Sequence, residues 1–178
     1  MDGCDKRIDI GRRWFLSGAG AAAAGAAAAA VSPQAAQAAP GAATATRVAY
    51  PANRLAKLGD LKPNVPLDVA YPDGDAPGVL IKLGVRVASG VGPDGDIVGF
   101  STVCPHKGFP LSYRAGDKTL NCPGHYSVFD CENGGQQTWG HATQNLPQYT
   151  LRVDEAGNVF AEGVDELLYG RLSNILQG

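Results

Sequence analysis

Charge is what this chain has least of. Only 18% of its 178 residues are charged, and residues 14–46 carry no charge at all. Residues 14–45 hold 17 alanines in 32 positions, a composition that excludes an ordinary core, which mixes polar and bulky apolar side chains. A basic excess is also missing. Residues 1–38 take four of the 15 Lys+Arg and three of the 17 Asp+Glu, which leaves 11 basic and 14 acidic groups beyond them. Nothing there can neutralise a run of phosphates, so nucleic acid is excluded as a partner. No nucleophile–base arrangement, nucleotide-binding loop or internal repeat is found. Low charge combined with 24 glycines and 12 prolines excludes a helical bundle and favours short strands joined by turns.

What is present begins with a leader. Residues 1–13 are polar and end in Arg12-Arg13. Trp14-Phe15-Leu16 and an Ala/Gly run to Val31 follow, then small residues including Ala36-Gln37-Ala38. A charged segment, an apolar segment and a small-residue cleavage site, in that order, make an export signal. The arginine pair resembles a twin-arginine signal. The competing reading is a membrane anchor, because residues 14–31 number 18, the lower limit for a span. Alanine and glycine make such a span weak. The expected division is a signal over 1–38, a linker over 39–46 and a domain over 47–178. Membrane contact is expected only if the leader is not cleaved.

In the domain, short apolar runs alternate with turn residues. Val65–Tyr71, Val79–Leu83, Val85–Ala88 and Ile97–Val103 read as strands. Thr150–Val153 and Val159–Ala161 read as a hairpin around Glu155-Ala156-Gly157-Asn158. Apolar residues recur at near-helical spacing over Val164–Leu176, which predicts a short C-terminal helix. Between the strands lies an insert that reads as irregular. It holds Cys104, Cys122 and Cys131 and all three histidines.

Two tight groups stand out in that insert. Cys104-Pro105-His106 is followed, after fifteen residues, by Cys122-Pro123-Gly124-His125. Each puts a thiol and an imidazole on one loop. Three chemistries compete: two buried cysteines with unrelated histidines, a Cys₂His₂ zinc site, and a [2Fe–2S] cluster with two cysteines on one iron and two histidines on the other. Cys131 lacks a partner and reads as a buried core thiol. His141 reads as a loop hydrogen-bonding residue, and Trp139 as either core or partner-facing.

Cys-x-His, fifteen residues and Cys-x-x-His resemble the Rieske family. Gly140–Tyr149, with Pro147, looks like the proline loop that covers the cluster in those domains. Cys104–Tyr113, Asn121–Asp130, Gly134–Pro147 and the leader are together similar to the small subunit of arsenite oxidase. The resemblance implies a mainly β fold: antiparallel sheets carrying a cluster-binding subdomain at about 101–148. It implies one [2Fe–2S] cluster, held by Cys104 and Cys122 on one iron and His106 and His125 on the other. Phe109 and Gly124 take the positions of two bridged cysteines in other members, so that disulfide is absent. Ser127 matches a serine whose hydroxyl donates to a sulfide. Phe129 stands where a tyrosine donates to a cysteine sulfur, and has no hydroxyl with which to do so.

The ligand set has a physical logic. With only two thiolates the oxidised cluster is neutral, whereas four leave it dianionic, so the mixed set raises the potential. Free histidine nitrogens that release protons on oxidation lower it again at high pH. The resemblance further implies a periplasmic electron-transfer subunit. Its partners would be a molybdenum-containing large subunit that oxidises arsenite, and a c-type cytochrome or small copper protein that accepts the electrons. Its rivals are the Rieske subunit of a quinol-oxidising complex and a stand-alone Rieske ferredoxin.

Overall fold

A computed structural model describes residues 49–175; the leader and linker lie outside them. Ten strands form three antiparallel sheets. The first contains β1 (Asn53–Lys57), β10 (Asn158–Val164) and β9 (Tyr149–Val153), in that order. The second contains β2 (Pro66–Ala70), β3 (Pro77–Lys82) and β4 (Ile97–Ser101). The third, in the insert, runs β5 (Ser112–Arg114), β6 (Thr119–Asn121), β7 (Val128–Asp130) and β8 (Gln136–Trp139).

The β2–β3–β4 sheet sits between the other two, and its alternation shows how. Side chains point to opposite faces every second residue. Leu80 and Ile97 share a core with Ala56, Leu61 and Val159, which ties this sheet to β1 and β10. Val79, Ile81, Val98 and Phe100 turn the other way, into a core with Leu120, Phe129, Cys104, Cys122, Cys131 and Leu146. All five residues of β4 are buried, as a strand covered on both faces must be. The insert is therefore seated on the base by a shared apolar core. At about 25 cal/mol per Å² of apolar surface, burying such side chains is worth roughly 1.5–3 kcal/mol each.

Three expectations need correction. The insert is not irregular: it is a four-stranded sheet whose strands are only three or four residues long, too short to show an alternation. Val85–Ala88 is not a strand. Gly84, at φ +75°, turns the chain, and Val87 N–H donates to Gly95 O in a loop. The C-terminal helix is not found among the described residues. β10 runs on to Val164, and the chain then turns, with Gly170 at φ +78°. Here tertiary bonds replace the helical ladder: Leu168 N–H donates to Asn174 Oδ1 at 2.8 Å, and Arg171 binds Asp73. Leu167 and Leu172, expected on an apolar face, are exposed.

Candidate metal centre

Two loops with the same backbone plan leave the insert's sheet and its entry strand. In each, the N–H of the cysteine donates to the carbonyl five residues on: Cys104 to Phe109 and Cys122 to Ser127, both at 2.8 Å. In each, the fourth residue after the cysteine is left-handed: Gly108 at φ +72° and Tyr126 at φ +58°. The loops lie side by side. A Cβ on Gly124 would come within 2.7 Å of the Phe109 ring, so the two positions expected from the resemblance to match bridged cysteines are neighbours.

This arrangement brings the four expected residues together as two pairs, thiol beside thiol and imidazole beside imidazole; among the described residues no three ligand-type side chains converge on one metal ion. Cys104 and Cys122 are both buried. Burial pushes the Cys104 thiol up, as does the adjacent Cys122, while backbone N–H groups of His106 and Lys107 aimed at its sulfur pull it down. His106 and His125 face each other edge to face, ring centroids 4.7 Å apart. His106 Nδ1 is buried with no hydrogen-bond partner among the described residues. Leaving such an atom unpaired costs about 1–3 kcal/mol. Burial, reinforced by His125, Lys107 and His141, holds the His106 pKa below its usual value and favours the neutral ring that binds metal. Two adjacent buried thiols, backbone donors aimed at one of them and an orphaned buried imidazole nitrogen all fit a metal cluster.

Ser127 shows the second layer. It is fully buried, and its Oγ accepts the N–H groups of His141 at 3.1 Å and Ala142 at 3.0 Å. A hydroxyl has two acceptor sites and one proton. Both acceptor sites are taken, so only its own proton remains free to be donated. The same bonds hold the Gly140–Tyr149 loop against the second cysteine loop. Gly140 permits this approach, since a Cβ there would lie 2.4 Å from Ser127 Cα. Pro147 is buried, and its carbonyl accepts the N–H of Ser101 at 3.0 Å, which pins that loop to β4. Phe129 is fully buried in the core shared with both cysteines. Cys131 is buried in the same core, its thiol pushed up to about 12 mainly by burial.

Some features were not legible in the sequence. His141 lies close to both other histidines, ring centroids 6.1 Å from His106 and 5.9 Å from His125. Trp139 is 70% exposed, and so not core; Tyr126 beside it is 74% exposed. No sequence signal marked Tyr126, because a left-handed tyrosine departs from local preference. It costs roughly 1–2 kcal/mol relative to the right-handed regions.

The site thus defines a small β protein with paired cysteine and histidine loops whose chemistry fits an iron–sulfur cluster. Residues 54–150 match the Rieske [2Fe-2S] domain family, and the chain belongs to that family. It carries a Rieske-type [2Fe–2S] cluster. It is similar to the "Iodate reductase subunit IdrB" of Denitromonas iodatirespirans, 43% identical over 128 residues, covering 70% of this chain and 69% of that one. The protein of the same name in Pseudomonas sp. (strain SCT) is 42% identical over 124 residues, covering 68% and 64%. The cytochrome bc1 complex Rieske iron-sulfur subunit of Corynebacterium efficiens is 40% identical over 70 residues, only 39% of this chain and 17% of that one. The fold is shared with the soluble domain of Rieske protein II from Sulfolobus acidocaldarius, at a TM-score of 0.62 and 23% identity over 69% of this chain and 82% of that one.

Proposed function

We propose that this chain is the electron-transfer subunit of a periplasmic molybdenum-type oxyanion oxidoreductase, with Cys104 and Cys122 holding one iron of its cluster and His106 and His125 the other. The chain belongs to a class of oxidoreductase subunits; the substrate and the compartment are the steps beyond that. The observation that carries the ligand assignment is the orphaned, buried His106 Nδ1 beside the His125 ring and the two buried thiols. When bound, the cluster supplies one-electron chemistry at a raised potential. The residues of this chain do the rest. The two cysteine loops would set the ligand geometry, Ser127 would have its own proton free to donate to a sulfide because its acceptor sites are taken, and the buried Pro147 segment, pinned to β4, would help exclude water. No substrate-binding residues are assigned to this chain.

The relatives named as iodate reductase subunits, matched over about two thirds of their length, support a catalytic partner acting on an oxyanion. The sequence motifs resemble arsenite oxidase, so arsenite and iodate are the two substrates to separate. With arsenite, electrons would leave through this chain to a c-type cytochrome or small copper protein. With iodate they would run the other way. The Arg12-Arg13 leader supports export with the cluster already in place, since an unfolded chain would need its iron and sulfide installed outside the cell. A quinol-oxidising role is less supported, because the bc1 relatives match over a much shorter stretch. The test is purification of the native complex, metal analysis for molybdenum, and assays of arsenite oxidation with an oxidising dye and iodate reduction with a reducing dye. A complex free of molybdenum, or inert toward both oxyanions, would overturn the reading.

A further inference from the structure

Tyr126 and Trp139 form an exposed ridge beside His125, with a hollow on each side. One hollow, of about 460 Å³, lies between these rings and His125, Gln137 and His141. The other, of about 410 Å³, lies between the same rings and Ser112, Arg114 and Pro123. Phe109, 43% exposed, continues the aromatic surface past Gly124. No carboxylate lines either hollow, although the chain as a whole has more acidic than basic residues. Arg114 is the one permanently charged group lining them; its neighbour Asp117 approaches it only to 3.8 Å, on the exposed rim.

Tyr126 is the informative member. The matching position of the first loop is glycine, which takes φ +72° at no steric cost. The second loop places tyrosine at φ +58°, and leaves its ring 74% in solvent. Neither backbone preference nor burial within this chain accounts for a tyrosine there. Strain held at an exposed position beside a functional group points outward, to something the side chain contacts.

We infer that Tyr126 and Trp139 are the anchor through which this chain docks its catalytic subunit, by a surface of that subunit carrying apolar side chains and carboxylates. This rests on the proposed function above. The aromatic character decides between a stable subunit and a transient electron carrier. Stable interfaces are centred on desolvated Trp and Tyr anchors. Short-lived electron-transfer encounters are small. Carboxylates on the partner would meet Arg114, whose one carboxylate neighbour is the loosely paired, half-exposed Asp117 at 3.8 Å, and the imidazole edges of the hollow.

The test uses the full chain with its cluster, co-expressed with its catalytic subunit. Tyr126→Gly removes both the ring and the strain. It is expected to keep the cluster's visible and EPR spectra, to raise the thermal midpoint of the isolated chain by about 2–4 °C, and to weaken the complex at least tenfold. Tyr126→Asn, which tolerates the left-handed region, and Trp139→Ser are expected to weaken the complex similarly. Unchanged affinity in all three, with wild type binding the molybdenum subunit, would overturn the inference and leave the proposed function standing. So would a lowered midpoint or a lost cluster in both Tyr126 variants, since the ring would then act inward. If the variants lose a cytochrome but keep the catalytic subunit, the chosen partner is wrong. If wild type binds no molybdenum subunit at all, the proposed function falls, and this inference with it.

Discussion

The two cysteine loops share a backbone plan but differ in what holds them. The first, Cys104–Phe109, takes its left-handed residue as Gly108, and a ring from the C-terminal tail lies over it: a Cβ on Gly108 would come within 2.4 Å of Tyr169. The second, Cys122–Ser127, takes its left-handed residue as Tyr126, with the ring in solvent, and is held instead by the Ser127 hydroxyl to the His141 and Ala142 amides. The first loop is thus covered at Gly108 by its own chain, with Phe109 left exposed at its end, and the second leaves the Tyr126 ring open beside His125. On the proposed ligand set the two loops have equal duties but unequal surroundings, and the inferred docking surface falls on the second.

Ligand removal has the largest expected effect, and it should be the same in both loops. Cys104→Ala, His106→Ala, Cys122→Ala and His125→Ala should each abolish the cluster's EPR signal. Wild type should analyse as two irons and two sulfides per chain, as one [2Fe–2S] cluster requires. A variant in either loop that keeps a full cluster would remove that residue from the ligand set. Next comes the left-handed position, where the loops should respond with opposite signs. Gly108→Ala places a side chain at φ +72° and against Tyr169, and should destabilise by roughly 1–3 kcal/mol. Tyr126→Gly should stabilise by up to about 1–2 kcal/mol. Thermal or denaturant unfolding of the two variants reads both signs, and equal signs would break the comparison.

Ser127 has no equivalent donor in the first loop, where Phe109 holds the corresponding place. Reduction adds negative charge to the sulfurs, so a donor favours the reduced form. A hydrogen bond to a charged group is worth about 1.5–3 kcal/mol in total, of which only the difference between redox states counts. For one electron, 59 mV is a tenfold change in equilibrium, about 1.4 kcal/mol. Ser127→Ala should therefore lower the potential by several tens of millivolts, and Phe129→Tyr should raise it by a similar or smaller amount. Redox titration of the three proteins at one pH reads this. A potential unmoved by Ser127→Ala, with the cluster bound, would mean that the hydroxyl faces elsewhere.

Much of this was legible in the sequence because it is local. Cys-x-His and Cys-x-x-His specify their own loops, and Val79–Leu83 or Thr150–Val153 carry enough β-branched and apolar residues to declare a strand. What was not legible depends on distant partners. The insert's sheet has strands such as Thr119–Asn121 that are defined by pairing rather than by pattern. The tail's leucines have helical spacing, but Asn174 and Asp73 bind the backbone and Arg171 in an arrangement no helix allows. Tyr126 was invisible for the opposite reason: it contradicts the local rule, and such contradictions are expected where a residue serves something outside the fold.

The smallest expected effect tests whether the two loops are held independently. The ring over Gly108 belongs to a tail pinned two residues later, where Arg171 meets Asp73 through both carboxylate oxygens, one contact at 2.8 Å. The Arg171 hydrogen bonds hold the Asp73 pKa below the usual carboxylate value. A depressed folded-state pKa gives stabilisation that is complete above the unfolded value of about 3.9 and is lost as pH falls through the folded value. At neutral pH the pin is fully made, and Asp73→Asn removes the charge that makes it. A partly exposed ion pair is worth about 1 kcal/mol or less, so the change should be local. The Gly108 amide, which donates to Cys104 O at 2.8 Å, should exchange hydrogen up to about fivefold faster in the variant. The amides of His141 and Ala142, held by Ser127, should exchange as before. Hydrogen exchange at pH 6 on the cluster-loaded chain reads both. Equal acceleration in the two regions would show that the tail and the proline loop support one shared unit, and that the asymmetry between the loops ends at their surfaces.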